Sequence, residues 1–426
     1  MAKRVLLVTY HFPPSAATGS YRLLSMSRYL PRFGWDTVVV APPTLPWEPM
    51  DERLVSRVPA STRTYFSPYP HGLINKVIRR LGGISEAWLP RCLAQVRRAV
   101  RETQPQVILT SSPPHCVHLI GMYAQRRMGI PWVADLRDPI VARKSLGTNR
   151  HPLKMRTYEN WTMKRARVVI ANAAGAQRVL VEQFPQYRSK TATVTNGFDP
   201  EDFPRQERKS GPSSRIIHTG ELYAGRDPGS FLDALVLLGK DQPGGSRLVH
   251  VDFYGRDSDG KLEMENGVKQ RGLEAVVHSH GHISYSQSQK EMVASDLLLL
   301  IDNPGRKTGV NAKLYEYLGA GRPILAIVEP DSDSSAVLEA SGVLYRLVPP
   351  DGPAESVARA MRELLQAGTS WQGSPPEKVV RFTREHQMGL LARILDAAVQ
   401  SPTGDVELDD DLSPGTMPIP APGGTS

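Results

Sequence analysis

Cysteine is almost absent from this chain: the 426 residues include two, Cys92 and Cys116. Their spacing fits neither a metal-binding motif nor a disulfide framework, so a reducing cytoplasm is expected. Long apolar runs are also missing. The longest leucine-rich run, residues 297–301, is far shorter than the roughly 20 residues that a membrane helix needs. The short apolar run at 5–8 is soon interrupted by two prolines, so no signal peptide is expected.

Acidic charge is in deficit. The formal net charge is +9, while the charged content of 22% and the hydrophobic content of 40% are ordinary globular values. A basic balance favours anionic partners such as nucleotides, phospholipid headgroups or nucleic acid, without choosing among them. Ordinary solubility accounts for it equally well.

Short apolar segments alternate with helical patterns along the whole chain, which indicates an α/β protein with buried parallel strands. The predicted strands are 5–9, 37–41, 107–109, 132–134, 168–171, 191–194, 216–219, 249–254, 275–278, 297–301, 324–328 and 344–347. Because the chain is longer than one core usually serves, two domains are expected. We predict an N-terminal domain at 1–205, a polar linker at 206–214, a C-terminal domain at 215–375, a helix packing back at 376–400 and a disordered tail at 401–426.

Ligands of open parallel sheets bind beyond the carboxyl ends of the strands, and the first such loop is poor in glycine. Residues 10–24 contain only Gly19, at the start of the next helix. A dinucleotide site would need several glycines, which argues against a nicotinamide enzyme. The amide of Gly19 could still approach an anionic or sugar ligand at the helix N-terminus. A simple turn is the alternative.

The loop "HTGELYAGRDPGSF", residues 218–231, follows the first strand of the second predicted domain. Gly220 permits a close backbone approach. The guanidinium of Arg226, just before a helix, can reach a diphosphate with several fixed donors. A surface arginine in a turn is the alternative.

The segment "GRKTGVNAKLYEYLGAGRPILA", residues 305–326, leads a glycine-containing loop into a short helix. Unpaired amides at a helix start bind anions, and Lys313 adds a positive charge. Glu316, three residues on, shares a face with Lys313. Its carboxylate can accept hydrogen bonds from both hydroxyls of a ribose attached to that phosphate. The alternative is a structural Glu316 paired with Lys313 or Arg322.

These motifs are similar, in sequence and in order, to those of family 4 glycosyltransferases of the bacterial polysaccharide type. The resemblance covers residues 3–399 and rests on "YHFPPSAATGSYRLL", "SSPPHCVHLIG", "GIPWVADLRDP", "NGFDPEDF", "HTGELYAGRDP" and "NAKLYEYLGAGRPILA". It implies the GT-B architecture, in which two Rossmann-like domains face each other across a cleft. It also implies a retaining transferase that needs no metal, with the acceptor in the N-terminal domain and a nucleotide sugar in the C-terminal one.

The resemblance assigns donor-binding roles to a set of residues in the C-terminal half. Arg226 matches the family's basic residue on the diphosphate and Glu316 its ribose-binding glutamate. Gly281 and Ile283, in the loop 280–284, match the base-contacting loop. The phosphate and sugar contacts fall to Gly220, Thr308, Gly309, Val310, Asn311 and Lys313.

The sequence departs from the family pattern at two donor positions. The first of the family's two glutamates is replaced by Thr308, and a basic residue that often follows the glycine is replaced by Glu221. On the acceptor side, Arg137 stands near a position where some members have a histidine. Gly19, Asp135 and Arg137 are therefore predicted on the acceptor side, with Asp138 and His115 as catalytic candidates. Structural roles, in a loop for His115 and before Pro139 for Asp138, are the alternatives.

Residues 72–101 concentrate positive charge beside an apolar stripe, a pattern that suits an anionic membrane surface or a helix packed on its own domain. Nucleic acid is not expected, because no basic motif with interleaved aromatics is present. The predicted function is sugar transfer from a nucleotide sugar to a polysaccharide, lipid-linked or natural-product acceptor, in the cytoplasm or on the inner face of the membrane. A non-catalytic nucleotide-sugar-binding scaffold and a sugar-nucleotide epimerase of the same fold are the alternatives.

Overall fold

The computed structural model of the chain describes residues 3–44, 48–69, 84–140, 152–204, 213–222, 225–240, 248–256, 259–400 and 406. These residues divide into two compact units. Among the described residues, unit 1 comprises those up to Asn196 together with 384–400 and Val406, and unit 2 comprises those of Gly197–Thr383. The chain thus passes between units at residue 197 rather than after residue 205, and the segment 376–383 stays in unit 2.

Unit 1 is built on a seven-stranded parallel sheet in the order β3-β2-β1-β4-β5-β6-β7. The strands are β1 (Lys3–Thr9), β2 (Trp35–Ala41), β3 (Arg63–Phe66), β4 (Val107–Ser112), β5 (Trp132–Leu136), β6 (Val168–Ala171) and β7 (Thr191–Thr193). In register, Val5 lies between Thr37 of β2 and Val107 of β4. The β-branched runs of these strands are buried on both faces, as a parallel sheet between helices requires.

The helices of unit 1 are α1 (Thr18–Tyr29), α2 (Ile84–Thr103), α3 (His118–Met128), α4 (Pro152–Arg165), α5 (Ala174–Gln183) and, after unit 2, the C-terminal helix Arg384–Gln400. Short 3-10 helices lie at Leu30–Phe33, Glu52–Arg57, His115–Val117 and Pro185–Lys190. The C-terminal helix places Leu391, Ile394 and Leu395 in the core with β1 and β2. Its Asp396 pairs with Lys3 and accepts from the Trp35 indole at 3.1 Å. The last helix is therefore an integral part of the first unit.

Unit 2 contains a six-stranded parallel sheet in the order β10-β9-β8-β11-β12-β13. The strands are β8 (Ser213–Thr219), β9 (Leu248–Tyr254), β10 (Val277–Ser279), β11 (Leu297–Ile301), β12 (Ile324–Ile327) and β13 (Tyr345–Val348). The helices are α6 (Gly229–Lys240), α7 (Asp259–Gln270), α8 (Tyr285–Ala294), α9 (Ala312–Ala320), α10 (Asp333–Ser341), α11 (Ala354–Gly368) and α12 (Pro376–Val379). Short 3-10 helices lie at Pro200–Asp202 and Val380–Phe382. The two faces of the sheet carry separate apolar clusters.

Several elements differ from their predicted bounds. Strand β3 is not predicted by the sequence pattern because only Tyr65 of its four residues is buried. Ser213 and Ser214, predicted in the linker, begin β8. The closing helical pattern at 377–399 is interrupted by Thr383, which has extended backbone. In the predicted disordered tail, Val406 is buried in the core of unit 1, and the other tail residues lie outside the described ranges.

No helix within the described ranges is both long and apolar enough to span a membrane. Of the basic segment 72–101, the part from Ile84 forms α2, while residues 72–83 lie outside the described residues. In α2, Trp88, Cys92 and Val96 are fully buried, and Arg98 pairs with Glu102 on the same helix at 2.8 Å. The described portion of this segment thus packs on its own unit.

Candidate functional site

The loop after β8 is shaped by two glycines. Gly220 has φ +145° and its amide donates to the Tyr254 carbonyl at 2.8 Å. A Cβ on Gly255, after β9, would lie 2.3 Å from the Gly220 carbonyl oxygen. Only glycine allows these two backbones to approach so closely. The result is an open backbone surface at the carboxyl ends of β8 and β9.

Lys313 and Glu316 lie beside this surface on α9. The Cγ of Lys313 is 3.8 Å from the position that a Gly220 Cβ would take. The Lys313 ammonium donates to the Glu316 carboxylate at 2.7 Å, and Glu316 is buried with 8% of its surface exposed. Arg322 instead donates to the Val293 carbonyl. Leu314, Tyr317 and Leu318 face the core as predicted, which leaves Glu316 and Lys313 on the ligand side.

Arg226 is buried rather than exposed, with 7% of its surface accessible. Its guanidinium donates to the Glu221 carbonyl at 3.2 Å and lies 3.7 Å from the Asp302 carboxylate, just after β11. Asp302 also accepts from Arg306 at 2.9 Å. A fixed, nearly dry cation of this kind interacts strongly with an anion because little water screens it.

His218 is a member of the site that the sequence reasoning missed. Its ring is buried with Nδ1 2.9 Å from the Leu299 carbonyl oxygen, so Nδ1 carries the hydrogen and Nε2 is an acceptor. Nε2 lies 3.6 Å from the position of a Gly220 Cβ. Burial, reinforced by Arg226 and Lys313, lowers the pKa of His218 from 6.5 to about 4. The sequence signal that could have identified His218 is its position at the end of a buried strand, directly before Thr219 and Gly220.

The predicted phosphate loop is partly engaged with its own unit. The Gly309 amide donates to Asp333 at 2.7 Å, and the Lys313 amide is capped by the Asn311 side chain at 3.1 Å. Thr308 is half-buried. Among the described residues, the amides of Val310, Asn311 and Ala312 make no hydrogen bond. These three, rather than the Gly309 and Lys313 amides, are open for an anion at the start of α9.

The loop 280–284 contributes from the neighbouring strand β10. Gly281 has φ +71° and its carbonyl accepts from the Gly255 amide at 3.0 Å. His280 stacks on Tyr254 with ring centroids 4.7 Å apart, while Ile283 is half-buried. Burial, followed by the charges of Arg256 and Lys313, lowers the pKa of the next histidine, His282. The loop therefore lies within electrostatic range of Lys313, on the same edge of the sheet.

In unit 1, Asp135 is fully buried and committed to internal contacts. Arg22 donates to its two carboxylate oxygens at 2.9 and 2.8 Å, and Ser111 donates at 2.7 Å. Arg22 also donates to the carbonyls of Val194 and Thr195. Asp135, predicted on the acceptor side, is thus an internal link between α1, β4, β5 and the end of β7.

Arg137 and Gly19 meet at the start of α1. A Cβ on Gly19 would lie 2.1 Å from Nη1 of Arg137. The Arg137 side chain donates to the carbonyls of Ser112 and Pro113. His115, after β4, is buried beside His118 with ring centroids 6.3 Å apart, whereas Asp138 is exposed. Of the two catalytic candidates, one is therefore inside the unit and the other at its surface.

Comparison with solved structures supplies the fold family. Sucrose-phosphate synthase from Thermosynechococcus elongatus has a TM-score of 0.65 at 16% identity, with 93% of this chain and 100% of that chain covered. Anabaena HepE, solved in complex with UDP and glucose, has a TM-score of 0.64 at 16% identity, covering 92% and 99%. WaaG, a glycosyltransferase of lipopolysaccharide biosynthesis, has a TM-score of 0.56 at 12% identity, covering 94% and 100%. No curated protein matches the sequence significantly.

The sequence itself carries a family signature in unit 1. Residues 18–197 match the family described as glycosyl transferase 4-like domain. Residues 18–197 are a domain of this family, and the chain as a whole has the GT-B fold. The resemblance read from the motifs is thereby confirmed for the family of the matched segment and for the fold of the whole chain. The match spans α1 to the end of unit 1's first segment, so it includes Gly19, Asp135 and Arg137.

The described part of the chain brings most of the predicted donor residues to one edge of the unit 2 sheet. Lys313 lies beside Gly220 and pairs with Glu316, and Arg226 acts electrostatically on His218, which also lies beside Gly220. Glu221 is exposed and contributes its carbonyl to Arg226. Within the described ranges, no group of three or more His, Cys, Asp or Glu side chains is placed to hold a metal ion.

Proposed function

We propose that this glycosyltransferase transfers a sugar from a nucleoside diphosphate sugar, bound by unit 2, to an acceptor bound by unit 1. The observation that carries the proposal is the convergence of Arg226, Lys313, the open start of α9 and Glu316 around Gly220. Two cations and free amides match a diphosphate, and a carboxylate one helical turn away matches the ribose diol. The structures of Anabaena HepE in complex with UDP and glucose and with UDP-glucose support this donor class.

The chemistry follows from where negative charge develops. As the bond from the sugar to the diphosphate breaks, the leaving nucleoside diphosphate gains charge on its terminal phosphate. Arg226 and Lys313, with the amides of Val310, Asn311 and Ala312, would stabilise that charge from fixed positions. Arg226 is held by Glu221 and Asp302, so little reorganisation is needed when the bond breaks.

Glu316 and Lys313 exchange partners in this proposal. In the structure the ammonium of Lys313 donates to the carboxylate of Glu316. When a donor binds, Lys313 turns to the diphosphate and Glu316 accepts from the ribose hydroxyls. The pair thus keeps the two charged groups neutralised, which limits the cost of holding them partly buried.

The loop containing Gly281 and Ile283 is proposed to contact the base. Transfer with retention and without a catalytic metal is proposed from the family resemblance. On the acceptor side, His115 and Asp138 remain the proposed polar groups near the reacting hydroxyl. A polysaccharide, lipid-linked or natural-product acceptor and a peripheral membrane position through residues 72–101 also remain proposals.

Donor turnover separates the transferase from its alternatives. The purified chain is incubated with UDP-glucose, GDP-mannose, ADP-glucose or dTDP-glucose, with and without a pool of sugar and lipid-linked acceptors, in the presence of EDTA. A transferase releases nucleoside diphosphate faster with acceptor than without it. Conversion to another nucleotide sugar without acceptor would indicate an epimerase. Binding without any turnover would indicate a scaffold.

A further inference from the structure

One ring nitrogen of His218, Nε2, is a buried acceptor without a partner. The residue is 3% exposed, and Nε2 makes no hydrogen bond to a described residue. Nδ1 lies 2.9 Å from the Leu299 carbonyl oxygen, so it carries the hydrogen of the neutral ring. A buried acceptor that receives no hydrogen bond is unfavourable. A ligand that gives Nε2 a hydrogen-bond partner would therefore bind more favourably.

The orientation of the His218 ring is fixed by the end of the neighbouring strand. The pairing of β8 with β11 ends one residue before Leu299. The Leu299 carbonyl accepts instead from Nδ1 of His218 and from the hydroxyl of Tyr317 at 3.1 Å. That hydroxyl accepts in turn from the Thr219 amide at 3.0 Å. The direction of Nε2 is thus set jointly by β8, β11 and α9.

Nε2 faces the open space in front of Gly220. Around the position that a Gly220 Cβ would take, Nε2 lies at 3.6 Å and Cγ of Lys313 at 3.8 Å. Gly220 has φ +145°, a conformation that favours glycine, so no side chain fills this space. The unpaired nitrogen and Lys313 therefore flank the place where the proposed function puts the donor diphosphate.

The charged groups that act on the His218 ring are both cations. Burial, reinforced by Arg226 in the loop after β8 and by Lys313 on α9, lowers the pKa of His218 to about 4. The carboxylate of Asp302 lies 3.7 Å from Arg226, and that of Glu316 accepts from Lys313 at 2.7 Å. These carboxylates pair with the cations and form no hydrogen bond to the ring.

The other neighbours of the His218 ring are uncharged. On the β9 side the ring packs against Phe253, with ring centroids 5.5 Å apart. On the α9 side, burial raises the pKa of Tyr317 to about 12, so this hydroxyl stays neutral. The charge state of His218 is therefore controlled by Arg226, Lys313 and any anion that binds to them.

We propose that His218 completes the diphosphate site by taking up a proton at Nε2 when the donor binds, so that Nε2–H donates to a phosphate oxygen beside Gly220. This inference rests on the proposed function, because it adds a third cation to that donor site. The proton comes from the solvent, and no other covalent bond changes. An anion bound to Arg226 and Lys313 offsets the repulsion that keeps the ring neutral and favours the charged form.

The proton matters most when the diphosphate leaves. The terminal phosphate of a released nucleoside diphosphate carries about −1.5 to −2 charge at neutral pH. A protonated His218 would stabilise this charge from a ring that is already oriented. Because the complex then binds one more proton than the free protein, affinity for a nucleotide sugar should rise as the pH falls. We expect about tenfold tighter binding at about pH 6 than at about pH 8.

The first test counts protons by calorimetry on the full chain. The ligand is the nucleotide sugar that binds among UDP-glucose, GDP-mannose, ADP-glucose and dTDP-glucose, because the diphosphate of a nucleotide sugar does not itself titrate near neutral pH. Binding is measured at about pH 6.5 in buffers of different ionisation enthalpy, and the dependence of the observed enthalpy on the buffer gives the number of protons taken up. We expect uptake in the parent and in His386→Gln, an exposed histidine of the C-terminal helix, and none in His218→Gln.

A second histidine near Lys313 provides the discriminating comparison. Burial, followed by Arg256 and Lys313, also lowers the pKa of His282 in the loop 280–284. Proton uptake that is lost in H218Q and kept in His282→Gln supports the proposal. Any other pattern, including no uptake in the parent, overturns it. His218→Asn replaces H218Q if the glutamine variant does not fold.

The second test needs no nucleotide. Ring nitrogen chemical shifts of His218, assigned by comparison with the His218 variant, are followed by NMR between about pH 5 and pH 8. Spectra are recorded without and with inorganic sulfate, which remains a dianion over this range. We expect a neutral Nδ1–H ring without sulfate and a shift towards the imidazolium with it. A ring that stays neutral in both conditions would overturn the proposal.

The two tests separate this inference from the proposed function. If no nucleotide sugar binds, the proposed function fails, and the sulfate measurement still decides whether His218 takes up a proton beside a bound anion. If a nucleotide sugar binds without proton uptake, the donor site stands and the role of His218 is wrong.

Discussion

Replacing Glu316 by glutamine separates the two roles that the structure gives to this residue. Glutamine keeps the shape but removes the charge that Lys313 contacts at 2.7 Å. The side chains of Lys313 and Glu316 are 27% and 11% exposed, so solvent screens the pair in part. Its loss should lower the free energy of unfolding by at most about 1 kcal/mol.

The effect on nucleotide binding should be larger. Losing a charge-assisted hydrogen bond to the ribose diol should weaken the free energy of binding by about 1.5–3 kcal/mol. Part of this loss is offset, because nucleotide binding to the variant no longer breaks the ion pair with Lys313. That difference favours binding to the variant by up to about 1 kcal/mol. The net expectation is a loss of roughly 1–2 kcal/mol, or about 5- to 30-fold in Kd.

The assay is calorimetric titration of the parent and Glu316→Gln with a ribonucleoside diphosphate and with its 2′-deoxy form. Glu377→Gln, an exposed glutamate of α12, is the control and should behave as the parent. The parent should prefer the ribose form, and the preference should largely disappear in E316Q. If E316Q binds as tightly as the parent and keeps the same preference, Glu316 is a structural partner of Lys313 and the ribose assignment is wrong.

Three further predictions address the packing, titration and charge of unit 2. Gly319→Ala should lower the free energy of unfolding by about 1–3 kcal/mol, because the added Cβ would lie 2.3 Å from Phe203. Denaturant unfolding measures this change. In the control Gly239→Ala, which has open space around the added Cβ, the free energy of unfolding should instead rise by about 0.5–1 kcal/mol. The native pKa of His218 is about 4 against 6.5 unfolded, so its contribution of about 3 kcal/mol is full above pH 6.5 and is lost as the pH falls towards 4. Denaturant unfolding of His218→Gln should show a correspondingly weaker pH dependence over that window. Arg226→Lys should weaken diphosphate binding about tenfold by calorimetry, since a point charge cannot reproduce the guanidinium fork, and unchanged affinity would remove Arg226 from the diphosphate site.

Local patterns in the sequence account for most of the fold. Strands such as β6 and β11 are continuous β-branched or leucine runs, and their bounds agree with the predicted ones. The pairing of Lys313 with Glu316 also follows from spacing on one helix. Strand β3 was not predicted, because an edge strand with one buried residue lacks a continuous apolar run.

The remaining site features depend on contacts between distant parts of the chain. Arg22 and Asp135 are 113 residues apart, so no local pattern pairs them. The burial of Arg137 against Gly19 likewise depends on how the end of β5 lies beside the N-terminus of α1. The sequence pattern places His218 at a strand end, but the orientation of its ring depends on the Leu299 carbonyl of the neighbouring strand β11.

The most direct test of the donor site is calorimetric titration of the purified full chain with UDP, GDP, ADP and dTDP, without added metal. The account predicts that one of these nucleotides binds and that the binding weakens in Arg226→Lys and Glu316→Gln. The nucleotide that binds also identifies the base of the donor, which narrows the choice of donor sugar. A folded sample that binds none of the four would contradict the donor site in unit 2 and, with it, the proposed transfer.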